Sequence, residues 1–365
     1  ICSKQFLQYK LDDSQDTEKI KSIVWMKKMK FEMRFLDESH LGGTTQIAQR
    51  ILEYYGKNAF TVQITATYSK PIKDYDIPKD SWILWDLEDI KLCRKINDSD
   101  SLERLVEKHG QTFLDIKKQY SELSIINEYS KFPDLWILTD RIDPSLVPTI
   151  IQQTKDNDYG WSVDATFLLK QNEEEIIEEF QNPEENLKLW YRIFGKKNEL
   201  GIPDPAYPED QVYIKRIENI CKNPKYNSRY LGHNDGKSMI IMAFLPQNNV
   251  DLISRASKNI LIKNKVITDM EIVIINSKAC GSKSKQAIED GRLKASQNGK
   301  QGVLVLSGRQ CSLGVSIDDC DVVLMLNNNV GFDMIYQMMF RCMTEAKNKK
   351  CGFVIDPNLQ RVIDT

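Results

Sequence analysis

Several features that mark membrane, secreted or zinc-binding proteins are missing from this sequence of 365 residues. No apolar run approaches the ~18 residues that a membrane span needs. The first residues lack both an initiator methionine and the charged-then-apolar pattern of a secretion signal. The eight cysteines occur singly, with no C-x-x-C pair, and Cys280, Cys320 and Cys351 lie in apolar runs. We therefore expect reduced core thiols in an intracellular, reducing compartment, and no membrane partner.

An excess of charge of either sign is missing as well. The chain has 50 Lys and Arg against 52 Asp and Glu, which gives a formal net charge of −2. This balance excludes a strongly basic protein that coats nucleic acid, but a protein that holds one strand in a local groove needs no overall basic charge. Lys, Asn and Ile are abundant, which suits an AT-rich genome such as that of a large DNA virus. Composition therefore leaves the partner open.

The pattern of apolar residues predicts an α/β protein with two parallel-sheet units. Residues 1–95 alternate short apolar strands with a helix, and the strands are expected near 31–36 and 60–64. Residues 236–365 contain five short apolar runs with helices between them, at 284–298 and 332–343. Strands that alternate with helices in this way favour parallel sheets, in which binding sites lie at the carboxyl ends of the strands.

Between these units, residues 96–235 are predicted to form a mainly helical insert and linker. Prolines interrupt this segment repeatedly, and capping-box patterns begin at Asp100 and Asn172. The acidic run that follows Asn172 is interpreted as the solvated face of a helix, with Ile176, Ile177 and Phe180 on its opposite face. No internal repeat or low-complexity tract is visible.

Two adjacent carboxylates follow directly from the first predicted strand, which we expect to be buried. At the carboxyl end of a strand, one of Asp37 and Glu38 can hold Mg²⁺ through water, and the other can take a proton from an attacking water. An acidic pair of this kind also suits a solvated turn or a helix cap. Thr65 and Thr67 follow the next predicted strand, so we expect their hydroxyls at the same sheet edge, although a helix cap would use them too.

The sequence D-E-S-H from residue 37, followed by T-A-T from residue 65, resembles motifs II and III of superfamily 2 helicases of the DEAD/DEAH type. The resemblance implies tandem RecA-like domains, the first of them N-terminally truncated, with ATP and Mg²⁺ as ligands and DNA or RNA as partner. It implies that Asp37 binds Mg²⁺ through water and that Glu38 is the base. It also implies that His40, Thr65 and Thr67 couple the nucleotide state to the second domain.

A later segment resembles motif V, in which a strand end and a turn of small residues approach the nucleic-acid backbone and the nucleotide. Ser307 ends the strand, and Gly314 and Ser316 lie in the turn, although Leu313 stands where many relatives have arginine. Near the start of the chain, Ser3 and Lys4 are candidates for a contact with the nucleic-acid backbone, as in motif Ib, or for a plain surface turn.

Gln337 and Arg341 lie on the last predicted helix and resemble the Q-x-x-G-R of motif VI. The resemblance implies that the guanidinium of Arg341 neutralises charge on the γ-phosphate of ATP, as an arginine finger does. Two departures are visible, because Phe340 replaces the usual glycine and Thr344 stands where many members have a second arginine. A helix whose arginine simply extends to solvent is the alternative.

The phosphate-binding loop G-x-x-x-x-G-K-[ST] is missing from the 365 residues. We therefore expect the chain to be the later part of a helicase or translocase that hydrolyses ATP only as part of a longer protein. Two alternatives stay open. One is a nucleic-acid-binding or scaffold module that has lost catalysis, and the other is the translocase subunit of a type III restriction-like nuclease. The sequence does not distinguish DNA from RNA, because such motors hold sugar and phosphate rather than bases.

Overall fold

The structure is a computed structural model, and it divides the chain into two compact units, residues 1–86 and residues 87–365. Each unit is described by itself. The residues that the structure describes are 31–37, 58–65, 77–140, 163–172, 175–226, 238–280, 283–311, 317, 320–329, 331–346 and 349–364.

In the first unit, two parallel strands form a small sheet. They are β1 (Met33–Asp37) and β2 (Phe60–Ile64), and a short 3-10 helix follows at Lys79–Ser81. Both strands occur where the apolar pattern predicts them. The expectation that they are buried is wrong, because Phe35 is 64% exposed and Phe60 is 66% exposed. Among the described residues this sheet has two strands, and a pair of strands offers little surface on which either face can be covered.

The second unit is built on a six-stranded sheet in which all neighbouring strands are parallel. Its strands occur in the spatial order β3-β10-β9-β6-β8-β7. A separate antiparallel hairpin consists of β4 and β5. In chain order the strands are β3 (Asp134–Leu138), β4 (Leu169–Gln171), β5 (Ile176–Phe180), β6 (Met239–Phe244), β7 (Met270–Ile275), β8 (Gly302–Ser307), β9 (Cys320–Met325) and β10 (Cys351–Ile355).

Helices cover both faces of this sheet. Buried side chains of α4, α5 and α6 pack on one face around Trp190 and Tyr213, and those of α7 and α8 pack on the other around Ile288 and Met338. A third cluster of apolar side chains joins α1, α2 and α3. The helices are α1 (Leu87–Cys93), α2 (Ser99–Gln119), α3 (Glu122–Ser130), α4 (Pro183–Phe194), α5 (Tyr213–Cys221), α6 (Val250–Lys263), α7 (Ser284–Gln297), α8 (Phe332–Met339) and α9 (Leu359–Asp364), with 3-10 helices at Val163–Phe167 and Phe340–Met343.

The predicted α/β class with a parallel sheet is confirmed. Every residue of β6, β8 and β9 is buried, because central parallel strands are covered on both faces and need continuous apolar runs. The strands expected after residue 236 all occur, and so do the helices expected at 284–298 and 332–343. In the described part of the chain, no helix is both long and apolar enough to cross a membrane.

One local prediction in the segment 96–235 is wrong. Residues 176–180 form the strand β5 rather than a helix, and β5 pairs with β4 so that Phe180 lies opposite Leu169. Two β-branched residues, Ile176 and Ile177, favour this extended conformation. Glu178 lies at the contact with α6, where its carboxylate accepts hydrogen bonds from Arg255 and Asn259 at 3.0 and 2.8 Å. The acidic run is therefore partly an attachment to α6 rather than a solvated helix face.

The segment 96–235 also contributes to the main sheet. Strand β3 forms an edge of the sheet by pairing with β10, from Asp134 opposite Cys351 to Leu138 opposite Ile355. Helices α4 and α5 supply much of the core on one face.

Buried thiols give a first testable prediction. Six of the seven described cysteines are buried and free, and Cys280 is partly exposed. Burial raises the pKa of Cys93 and Cys311 to about 11 and that of Cys342 to about 12. Since the thiolate is the reactive form, iodoacetamide at pH 8 is expected to modify Cys280 well before the other six, as measured by peptide mass spectrometry. Equally fast modification of Cys342 in the folded protein would contradict this arrangement of the core.

Candidate functional site

The carboxyl edge of the small sheet brings two predicted site residues together. Asp37 is the last residue of β1 and lies opposite Ile64, the last residue of β2. Thr65 follows Ile64 directly, so Asp37 and Thr65 lie at the ends of neighbouring parallel strands, whose backbones are ~4.8 Å apart. Glu38, His40 and Thr67 lie outside the described residues. Within the pair of strands, Arg34 Nε donates to Thr61 Oγ1 at 2.7 Å and fixes the register.

This edge suits a magnesium ion that keeps most of its water. Mg²⁺ in nucleotide sites is usually held by one or two carboxylates, by water and by the phosphates of the substrate. Asp37 supplies one carboxylate at the strand end. Among the described residues no group of three or more His, Cys, Asp or Glu could enclose a metal. Asp37 could thus hold an ion through its water ligands.

The main sheet has its topological switch point at the carboxyl ends of β6 and β9, which are neighbours. The chain leaves β6 through α6 towards β7 on one side of the sheet, and leaves β9 through α8 towards β10 on the other side. Connections that diverge from adjacent parallel strands leave a crevice at their carboxyl ends, where α/β proteins bind ligands. Ser307, at the end of neighbouring β8, lies on this edge.

A buried arginine holds the turn that follows β9 at this edge. The guanidinium of Arg361 forms a two-point ion pair with the Asp356 carboxylate, at 2.6 and 2.8 Å, and both side chains are 3% exposed. The same guanidinium donates to the carbonyl oxygens of Met325 at 3.0 Å and Asn327 at 2.6 Å. Asn327 Nδ2 in turn donates to the Phe244 carbonyl oxygen at 3.0 Å, which ties the end of β9 to the end of β6.

The turn at residues 327–329 also receives contacts from the 3-10 helix at Val163–Phe167. The backbone N–H of Asn328 donates to the Asp164 carboxylate at 2.9 Å, and the Asn328 side-chain oxygen accepts from the Val163 N–H at 3.0 Å. Burial raises the pKa of Asp164, while the Asn328 N–H and the nearby Arg361 act in the opposite direction. Sequence reasoning missed both Asp164 and Arg361, which are distant in sequence from the turn that they hold.

Arg361 gives a second prediction, on stability. Arg361→Ala leaves the Asp356 carboxylate buried without its cation, so the free energy of unfolding is expected to fall by about 3–5 kcal/mol. Arg104→Ala is the control, because Arg104 and Glu88 form an ion pair whose side chains are 49% and 56% exposed, and such pairs contribute about 0–1 kcal/mol. Urea unfolding followed by circular dichroism measures both. Equal losses in the two variants would show that Arg361 does not hold this turn.

Ser307 is the one residue of the motif V candidates that the structure describes. It is fully buried, and its carbonyl oxygen accepts from the Leu245 N–H at 2.8 Å. Gly308 follows, and a Cβ at that position would lie 2.8 Å from a methyl group of Val250 at the start of α6. The turn after β8 is therefore held against α6. Gly314 and Ser316 lie outside the described residues, as do Ser3 and Lys4.

Gln337 and Arg341 lie on α8 and on the 3-10 turn that follows it, and both are partly buried. The Arg341 guanidinium lies close enough to the buried thiols of Cys311 and Cys320 to lower their pKa, although burial dominates and raises it. The turn packs directly on β10, where a Cβ on Gly352 would lie 2.1 Å from the Cys342 carbonyl oxygen. Arg341 is thus presented by a turn that glycine allows to lie against the sheet.

Comparison with known proteins identifies no family. No family model matches the chain, and no curated protein matches it. Among solved structures, the chain is similar to the ATP-dependent Type ISP restriction-modification enzyme LlaBIII bound to DNA, with 13% identity over 93% of the chain and a TM-score of 0.42. It is also similar to the Hef helicase domain of Pyrococcus furiosus, with 11% identity over 95% of the chain and a TM-score of 0.29. The chain spans 19% of the first protein's length and 76% of the second's. Similarities this low assign no activity.

Proposed function

We propose that this chain is part of an ATP-driven helicase or translocase that moves on DNA or RNA. The observation that carries the proposal is the register of β1 and β2. Because Asp37 lies opposite Ile64 and Thr65 follows at once, the acid of D-E-S-H and the first hydroxyl of T-A-T leave the same edge of one sheet. A chance occurrence of the two short motifs would not require their strands to be parallel neighbours in this register.

The proposed chemistry assigns a role to each predicted site residue. When bound, Mg²⁺ neutralises charge on the phosphates of ATP. Asp37 holds the ion's water ligands, and Glu38 takes a proton from the attacking water. Arg341 supplies positive charge that stabilises the phosphoryl group in the transition state. Gln337, four residues earlier in the chain, belongs to the same motif. His40, Thr65 and Thr67 report the state of the nucleotide to the rest of the motor.

A phosphate-binding loop must come from outside these 365 residues, because the sequence contains no G-x-x-x-x-G-K-[ST]. The same absence favours a second candidate function, a nucleic-acid-binding module that does not hydrolyse ATP. The two proposals differ in turnover: a motor requires the acid pair for every step, whereas a binding module does not use it.

Steady-state ATP hydrolysis with and without single-stranded nucleic acid tests the proposal. The 365-residue chain alone is expected to show little turnover. A polypeptide that carries these residues together with a phosphate-binding loop is expected to show turnover that nucleic acid stimulates. If nucleic acid does not stimulate ATP hydrolysis by the longer polypeptide, the motor function is contradicted. If the longer polypeptide hydrolyses no ATP at all, the binding module is supported. Robust turnover by the 365 residues alone would show that the nucleotide site has been assigned incorrectly.

A further inference from the structure

Two thiols follow neighbouring strands of the main sheet, and the function proposed above uses neither. Cys280 follows β7 and is partly exposed, whereas Cys311 follows β8 and is fully buried. Cys280 packs against the cluster of buried side chains that contains Cys311, on the face of the sheet that α7 and α8 cover. The pair therefore combines one thiol that solvent reaches with one that solvent does not reach.

The register of the two strands brings these thiols towards each other. Strands β7 and β8 are parallel neighbours, with Ile275 opposite Ser307. Cys280 comes five residues after the first of this pair, and Cys311 comes four residues after the second. Neighbouring strands are ~4.8 Å apart, and cysteines in a disulfide have Cα atoms about 4.4–6.8 Å apart. The two segments thus begin at a separation that a disulfide can span.

Hydrogen bonds hold Cys280 close to the end of β7. The Asn276 side-chain oxygen accepts from the N–H groups of Lys278 and Ala279, at 3.0 and 2.8 Å, and so caps the turn that carries Cys280. The Cys280 N–H and Sγ both donate to the Asn276 carbonyl oxygen, at 3.1 and 3.4 Å. The sulfur of Cys280 is therefore fixed within one turn of the strand end.

Cys311 is held from the side of β8, where its thiol forms a hydrogen bond with the Ser307 side chain. The preceding residue, Gln310, donates from Nε2 to Ser284 Oγ at 3.2 Å. Cys280 Sγ lies 3.8 Å from the same oxygen. Ser284 is 2% exposed, so the sulfur of Cys280 and the residue next to Cys311 meet at one buried hydroxyl.

The surroundings of the two thiols give them different reactivity. Burial raises the pKa of Cys311 to about 11, and the nearby thiol of Cys280 adds to the rise, while the hydrogen bond with Ser307 acts in the opposite direction. Since the thiolate is the nucleophile, Cys311 reacts slowly with reagents in solution. Cys280 is therefore the thiol that meets an oxidant first.

We propose that Cys280 and Cys311 form a reversible disulfide when the chain meets hydrogen peroxide. The Cys280 sulfur attacks one peroxide oxygen, so that the O–O bond breaks, an S–O bond forms, and water leaves from a sulfenic acid. The Cys311 sulfur then attacks the Cys280 sulfur, the S–O bond breaks, and the S–S bond forms as a second water leaves. The two electrons that the thiols lose reduce the peroxide, and the two thiol protons leave in the water.

The bond would join the first residues of the motif V candidate to the turn after β7. In a reducing compartment it lasts only until a cellular thiol attacks it, which is typical of disulfides that sense oxidants. Its formation needs neither ATP nor nucleic acid, so the inference goes beyond the proposed function and does not depend on it.

Oxidation of the 365-residue chain by hydrogen peroxide, followed by alkylation and peptide mass spectrometry without reduction, tests the pairing. A peptide that joins Cys280 to Cys311 is expected as the main product. Titration of the unfolded protein is expected to show that two of the eight thiols are lost, and that dithiothreitol restores both. A main product that joins Cys280 to a second copy of the chain, or that joins the buried Cys320 and Cys342, would overturn the proposal.

Removal of Cys311 separates the two steps. In Cys311→Ala the sulfenic acid of Cys280 keeps no second thiol to react with, so the linked peptide is expected to be lost and dimedone is expected to label Cys280 instead. Cys221→Ala is the matched control, because Cys221 is a buried thiol in the cluster on the other face of the sheet. This control should form the linked peptide as the wild type does. Equal dimedone labelling in the three proteins, each verified as folded by circular dichroism, would overturn the proposal.

Release of thionitrobenzoate from one equivalent of DTNB measures the second step by itself. Reaction at Cys280 releases the first thionitrobenzoate, and attack by Cys311 on the mixed disulfide releases the second. Because the pKa of Cys311 is about 11, the rate of the second release is expected to rise about tenfold for each pH unit between about pH 7 and pH 9. Release that stops after the first, or a second release that does not depend on pH, would overturn the proposal. A failure of the motor function leaves all these results unchanged.

Discussion

Glu38→Gln is expected to lower nucleic-acid-stimulated ATP hydrolysis by about 10²–10⁴-fold, because an amide cannot take the proton of the attacking water. The change keeps the size of the side chain and removes only its basicity. The loss should therefore appear in kcat, while binding of ATP and of nucleic acid remains. The measurement is steady-state hydrolysis by the polypeptide that carries these residues together with a phosphate-binding loop.

Glu32→Gln is the matched control for this prediction. Glu32 directly precedes β1, at the strand's amino end, and its carbonyl oxygen accepts from the Phe60 N–H at 2.8 Å. The same chemical change is thus placed at the end of the strand away from the proposed chemistry, and kcat is expected to stay at the wild-type value. If Glu38→Gln also retained the full rate, the chain would act as a binding module. If both variants lost activity equally, the effect would be structural.

Arg341→Ala is expected to reduce kcat by about 10³–10⁵-fold, the range for removal of an arginine that stabilises the transition state of phosphoryl transfer. Arg341→Lys should recover only part of the rate, because an ammonium keeps the charge but lacks the planar fork that can contact two phosphate oxygens. Single-turnover kinetics at saturating ATP measures the chemical step for both variants.

The surroundings of Arg341 require a test of stability beside the kinetics. Its guanidinium lies near the thiols of Cys311 and Cys320, and the turn that carries it packs on β10. Thermal unfolding of Arg341→Ala is therefore compared with that of Arg104→Ala, which removes a half-exposed arginine from α2. A large loss of rate with a small change in the unfolding temperature agrees with a role in catalysis. If Arg341→Ala loses rate together with a large fall in the unfolding temperature, the role in catalysis is contradicted.

Much of the second unit could be predicted because central parallel strands carry a strong signal. The runs at β6, β8 and β9 are apolar throughout, and only strands covered on both faces require this pattern. The strand β5 was harder to predict, because its sequence of apolar and acidic residues also fits a helix with one apolar face and one charged face. Its antiparallel pairing with β4 decides the conformation, and short-range periodicity does not contain that information.

The candidate site was predictable to the extent that it depends on strand ends. Asp37 and Thr65 were expected at one edge from their positions after two strands, and the register of β1 and β2 places them there. The buried pair of Arg361 and Asp356 was not predictable, although the two residues are five apart in sequence. The pair matters because Arg361 donates to a backbone carbonyl group at the end of β9. Asp164, which is 164 residues away in sequence, accepts a hydrogen bond from the turn that follows. Contacts between residues so far apart in sequence depend on the complete fold.

The central claim is that Glu38 and Arg341 both serve the same step of ATP hydrolysis, and a double-mutant cycle tests it most directly. The kcat of the polypeptide with a phosphate-binding loop is measured for wild type, Glu38→Gln, Arg341→Ala and the double variant. Residues that act as a unit in catalysis are not additive. We therefore predict that the double variant is about as slow as the slower single variant. If the two losses multiply, the groups act independently and the claim is contradicted.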